Sequence, residues 1–161
     1  MKYCKHTTKQ HHIAISHSNC VESIDDITIN EGARRSPFNG ELAVNLDKVE
    51  AGIARTNRTD PRKTVDMVFG VSDNNGRQCR MVLCEYRLRY KNANNLSKTE
   101  LDSKVANSRG IIGQSPQIAT PHICVFSDKI KQEAYNRIRR LYAHRKVFSV
   151  MTVSELKSEF F

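Results

Sequence analysis

Two carboxylates set inside neighbouring apolar runs are the residues of this chain best placed to do chemistry. Residues 65–91 read VDMVFGVSDNNGRQCRMVLCEYRLRYK, two hydrophobic stretches joined by Asn-Asn-Gly, with Asp66 in the first and Glu85 in the second. Asn-Gly connections favour the type I′ turn, whose twist suits a β-hairpin. With Asn75-Gly76 as a two-residue turn, Asp66 falls opposite Glu85 on one face of the sheet. That face also pairs Val68 with Leu83, Gly70 with Met81 and Ser72 with Cys79. The other face pairs Val65 with Tyr86, Met67 with Cys84 and Phe69 with Val82. A slip by one residue would put the two acids on opposite faces. Like charges face to face destabilise a fold unless something positive lies between them, and a divalent cation held by carboxylate oxygens is such a partner. The competing arrangement is an acidic pair neutralised by arginines such as Arg87 or Arg89; Arg87 shares the face of Glu85 and serves either case.

The surrounding elements must hold this pair in place. Both hairpin faces are apolar near the middle, as in strands covered by helices on both sides. Before the hairpin, Leu42, Leu46, Val49 and Ile53 repeat at helical spacing from Glu41, followed by a polar loop, TNRTDPRK, broken at Asp60-Pro61. After it, Ser97 and Glu100 spell a capping box for a helix expected to run to about residue 108 and stop at Gly110. HICVF, residues 122–126, reads as a buried strand, Ser127-Asp128 as the cap of a helix over about 129–144, VFSVMTV as another strand, and Ser154 as the cap of a short last helix. Within residues 1–40, residues 12–17 and 24–29 read as short strands and Ser36 to Gly40 as a turn. The expectation is one α/β domain with a central mixed β-sheet flanked by helices on both faces. Residues 1–40 form an N-terminal arm, 41–153 the core and 154–161 a C-terminal helix.

Composition bounds the partners. The chain has 161 residues, with 26 Lys and Arg against 17 Asp and Glu, a formal net charge of +9. Such an excess favours a polyanion, and nucleic acid is the commonest one; a basic but solvated surface is the plainer reading. The basic groups cluster at Arg34-Arg35, at Arg55, Arg58, Arg62 and Lys63, at Arg87, Arg89 and Lys91, and from Arg137 to Lys146. Trp is absent and aromatics are 7%, which favours a surface tracking double-stranded DNA over a base-stacking platform. Arg89, Lys91, Lys104, Arg137 and Arg140 are the candidate nucleic-acid contacts. No membrane-spanning run or signal-type leader is legible, so a cytoplasmic protein is expected. Five cysteines, three of them in apolar runs, read as reduced thiols.

An acidic residue in one strand, Glu-x-basic in the next and flanking helices resemble the PD-(D/E)xK nuclease superfamily, the restriction-endonuclease-like fold. The matching residues are Asp66 in TVDMVFG and Glu85-Tyr86-Arg87 in VLCEYRLRY, and the order of elements matches from about residue 41 to 153. The resemblance implies an endonuclease-like phosphodiesterase dependent on Mg²⁺ or Mn²⁺. Asp66 and Glu85, with a carbonyl at residue 86, would hold the metal, and Glu50 or Glu41 on the first helix would complete its shell. Double-strand cleavage would call for a homodimer. Val65 stands where the pattern has Pro, and Arg87 where it has Lys. Arginine binds phosphate but stays protonated, so Lys91 or Lys104 is the candidate for a displaced ammonium.

Two alternatives stay open. One is a nucleic-acid-binding or assembly module that keeps this fold without the chemistry. The other is a zinc-bearing interaction protein, with Cys4, His6, His17 and Cys20 as ligands in two close pairs, set against an exposed polar arm. No Gly-rich phosphate loop, Gly-x-Ser-x-Gly elbow or dinucleotide fingerprint is present.

Overall fold

The computed structural model describes residues 1–73 and 75–161. Its elements are β1 (Lys2–Tyr3), α1 (Lys5–Gln10), α2 (His12–Ser16), a 3₁₀ turn (Ser18–Cys20), β2 (Val21–Ser23), α3 (Ile24–Asn30), β3 (Leu42–Asn45), α4 (Leu46–Asn57) and β4 (Met67–Ser72), then β5 (Cys79–Arg87), α5 (Lys98–Ile112), β6 (His122–Phe126), α6 (Lys131–Leu141), β7 (Phe148–Met151) and α7 (Val153–Phe160). The strands form one mixed sheet in the order β2-β3-β4-β5-β6-β7, with β1 paired to the same edge of β4 that β3 uses. β3, β4 and β5 pair antiparallel, while β5, β6 and β7 run parallel through helical crossovers.

Alternation along the strands divides the core. Met67, Phe69, Val82, Cys84, Ile123 and Val125 face α3 and α7, represented by Ile24, Ile27 and Leu156. Val68, Met81 and Leu83 face the opposite way, against Ile13, Leu46, Val49 and Ile112 of α2, α4 and α5. Cys124 and Phe126 pack with Leu101, Ala134 and Ile138 of α5 and α6. Helices therefore cover both faces, as the apolar runs require. Among the described residues no helix is long and apolar enough to cross a membrane.

The hairpin register holds where it pairs, with Met67 opposite Cys84, Val68 opposite Leu83, Phe69 opposite Val82, Gly70 opposite Met81 and Ser72 opposite Cys79. The turn is wider than two residues. The Asp73 amide donates to the Gln78 carbonyl at 3.0 Å, and Asp73 Oδ1 accepts from the Arg77 and Gln78 amides. An aspartate capping its own turn thus does the work expected of a type I′ Asn-Gly pair. Gly76 has φ 67°, and Asn74 lies outside the described residues.

Residues 1–40 are built into the sheet and its cover rather than forming an arm. The stretch at 24–29 is a helix, because Ser23 caps it and Ile24 and Ile27 bury one side three residues apart. The stretch at 12–17 is likewise helical, capped by His11. Gly70 lets this segment close on β4: a Cβ there would lie 2.6 Å from Thr7 Cβ and 2.7 Å from the Thr8 amide. The helix expected from Glu41 begins at Leu46, capped by Asn45 Oδ1, and the preceding Leu42–Asn45 is β3. Helix α5 runs through Gly110 and ends at Gly113, where φ is 78°. Thr152 rather than Ser154 caps α7, in a full capping box with Glu155, and α6 starts without a side-chain cap.

Candidate metal and phosphodiester site

Pairing of β4 with β5 stops at Met67 and Cys84, and the chain bends away just before it. The Val65 amide donates to Ser108 Oγ of α5 at 2.9 Å, and Val65 packs on the face of Val68, not on that of Met67 as continued pairing would require. Asp66 takes over the free edge with its side chain, whose Oδ2 accepts the Tyr86 amide. The Asp66 carboxylate is thereby carried to the end of β5, beside Glu85. Both acids are buried, at 6% and 1% relative exposure.

The positive charge between them comes from α5. Lys104 Nζ lies 2.8 and 2.9 Å from the two Glu85 oxygens and 3.7 Å from Asp66 Oδ1. Arg87 places one guanidinium nitrogen 2.9 Å from Glu85 and 2.9 Å from Glu100. Its Nε is buried without a partner. Ser97 Oγ accepts the Glu100 amide, as the capping motif predicts. The Glu100 carboxylate, however, turns away from the helix start and binds Arg87.

Burial pushes Asp66 up to about 8, and the neighbouring Glu85 adds to the shift. Burial also raises Glu85 to about 6, against the pull of Arg87 and Lys104. Lys104 loses proton affinity to burial but regains more from Glu85 and Asp66, so it stays an ammonium. Glu31, at the end of α3, is raised by burial and by the charge of Asp47, and its own charge bears on Asp66. Asp47 lies in the first turn of α4, accepts from Thr64 Oγ1 at 2.6 Å, and bears on Glu85. Glu31, Asp47 and the diverted Glu100 were not legible as site residues, because tertiary packing brings them in. The one local signal was the first-turn position of Asp47.

The other expected residues are dispersed. Glu50 is not a third ligand beside Asp66 and Glu85: the Arg62 backbone amide and guanidinium make three bonds to it, at 2.9 to 3.0 Å, and hold its carboxyl low. Glu41 binds Lys157. Lys104 belongs to the buried carboxylate cluster rather than to an exposed contact surface. Arg89 is exposed but reaches the Asn30 carbonyl at 2.6 Å, and Arg137 is half-buried near the Leu96 carbonyl. Lys91 and Arg140 are exposed.

Among the described residues no group of three or more His, Cys, Asp or Glu side chains is arranged to hold a metal ion. The proposed zinc ligands are employed separately. Cys4 Sγ accepts the Thr7 amide, His17 Nδ1 pairs with Ser16 Oγ, Cys20 is buried and His6 is exposed. Asp66 and Glu85 bring their carboxylate oxygens together at Lys104, and Mg²⁺ is an ion commonly held by one or two carboxylates plus water and substrate phosphate. Comparison with known proteins finds no match: no family model fits the chain, and no curated protein or solved structure is significantly similar to it.

Proposed function

We propose that the chain is a metal-dependent phosphodiesterase of nuclease type, with Asp66 and Glu85 as the metal-binding carboxylates and Lys104 as the ammonium of the PD-(D/E)xK pattern. The observation that carries this reading is Lys104 reaching both acids from α5. A lysine missing two residues after Glu85 is supplied at the same point from another element. Burying two acids, a lysine and an arginine together costs folding energy that an apolar core would not, and strongly shifted acids beside specific charge partners mark candidate functional sites.

A bound Mg²⁺ or Mn²⁺ would supply Lewis acidity toward a phosphate oxygen and an attacking water. The protein's own groups do the rest. Asp66 and Glu85 would hold the cation, and the bond from the Tyr86 amide fixes the rotamer of Asp66. Lys104 stays protonated, so it orients the water and stabilises charge on the phosphate rather than accepting a proton. Arg87, held protonated by Glu85 and Glu100, is restrained from both sides and contributes positive potential at the rim. Hydrolysis forms a bond from water oxygen to phosphorus, breaks one ester P–O bond and returns a proton to the leaving oxygen.

The test is cleavage of plasmid DNA and of single-stranded circular DNA with Mg²⁺, Mn²⁺ or EDTA by the wild type, Asp66→Ala and Glu85→Ala, each checked for folding. Metal-dependent cleavage by the wild type alone is expected, and robust cleavage by both variants contradicts the proposal. One observation favours a second reading, a non-catalytic nucleic-acid-binding module: Lys104 and Arg87 already compensate the acids as the structure stands. That reading expects salt-dependent binding without metal-dependent turnover.

A further inference from the structure

At the carboxyl ends of the parallel strands lies a groove of about 880 Å³. It is bounded by the chain after α3, by the ends of β5 and β6 and by the start of α7, where open α/β sheets commonly take ligands. Its apolar lining comes from the partly exposed Leu88 and Val153, with the buried Phe126 and Ile130 behind them. Four cations line it, Arg34, Arg35, Lys91 and Lys129, against one acid, Asp128. Tyr90 lines it too, and the Arg87 guanidinium lies 5.2 Å from the centre of that ring. Arg87 in turn contacts Glu85. The groove and the carboxylate pair are therefore joined through two side chains.

Resting on the phosphodiesterase reading, we infer that this groove holds an unpaired stretch of the substrate strand. Three properties point to that class. The volume is that of a small-molecule site, enough for one or two nucleotides and too confined for the broad convex surface of a duplex. An apolar lining with the partly exposed ring of Tyr90 accepts a base face, which is hidden inside a duplex. The four cations line the same cavity and match phosphates following the base, with Arg34 and Arg35 as adjacent forks. The substrate is then a nucleic acid with a single-stranded end, flap or gap, its paired part outside the groove. A free nucleotide shares the same chemistry, and length dependence separates it from a strand.

The experiment is fluorescence-anisotropy binding in EDTA, using a labelled oligothymidylate of about 10 nucleotides, a blunt duplex of the same length and unlabelled thymidine monophosphate as competitor. The full chain is compared with Arg34→Ala/Arg35→Ala, at exposed loop positions, and with Tyr90→Ala. Tighter binding of the single strand than of the duplex is expected. The arginine variant should bind the single strand about tenfold more weakly, and its salt slope should fall by about 1.4 for two lost phosphate contacts. Tyr90→Ala should weaken binding about tenfold through lost stacking. Duplex binding equal to or tighter than single-strand binding overturns the inference, as does an unchanged salt slope or a monophosphate that competes as well as the strand. Single-strand preference without metal-dependent turnover keeps the groove and removes the catalytic reading; turnover on blunt duplex without that preference does the reverse.

Discussion

Glu50 and Glu85 are both buried glutamates facing a basic partner, with relative exposures of 2% and 1%. Arg62 satisfies Glu50 with three hydrogen bonds and holds its carboxyl low. Glu85 has two basic partners, Lys104 and Arg87, yet burial pushes it up to about 6. Asp66 stands beside it in the same buried cluster, raised further. A buried acid is therefore not a site in itself. What separates Glu85 from Glu50 is that it shares its cations with a second buried acid.

The largest effect that separates the two residues is on catalysis. Glu85→Gln keeps the shape and removes the charge, and under this account lowers the cleavage rate by about a thousandfold or more. Glu50→Gln should leave the rate within about threefold, since Glu50 acts through packing. Equal losses in the two variants would erase the distinction.

The next effect is on stability against pH. The Asp66 carboxyl, raised to about 8 from an ordinary 3.8, binds its proton more tightly in the folded protein than in the unfolded one. Its stabilising contribution is complete below about pH 4 and is lost as pH rises toward and through 8. Asp66→Asn removes that loss, so in EDTA at pH 8 the variant should be more stable than the wild type, with the gap closing toward pH 4. Denaturant titrations at several pH values measure this, and parallel pH profiles for both proteins contradict it. At Glu50, Arg62→Ala should show the opposite pattern. The carboxyl held low by that pair contributes stability above its unfolded pKa that is lost on acidification, so the variant melts lower at neutral pH than the wild type, and the difference shrinks as pH falls.

A smaller effect concerns the ammonium. Lys104→Met leaves two buried acids without their closest cation, so the apo variant should melt below the wild type. Added Mn²⁺ should then raise its melting temperature by more than it raises that of the wild type. An equal or absent rise in the variant would mean that the lysine and a metal do not share these oxygens.

Legibility in the sequence followed the range of the interactions. β6 was readable residue by residue, because HICVF is short, apolar and bounded. The pairing of β4 with β5 was readable because apolar alternation centres it on Asn75 and Gly76, even though Asp73 makes the turn. β3 was hidden because Leu42 continues the helical spacing of Leu46, Val49 and Ile53, while Asn45 breaks it by capping. In the first forty residues the apolar segments are too short for periodicity to separate helix from strand. Asp66, Glu85 and Arg87 were legible as a group, and Lys104 as one of two places for an ammonium. That Lys104 is a lysine reaching both acids depends on the packing of α5 against β5. The approach of Glu31 and Asp47 depends on helices that close only in three dimensions.

The most direct test of the central claim is calorimetric titration of the apo protein with Mn²⁺ alongside Asp66→Asn, Glu85→Gln and Glu50→Gln. The account predicts saturable binding by the wild type and by Glu50→Gln, and its loss in the two variants of the acidic pair. Absence of binding in the wild type, or equal binding in all four proteins, would contradict it.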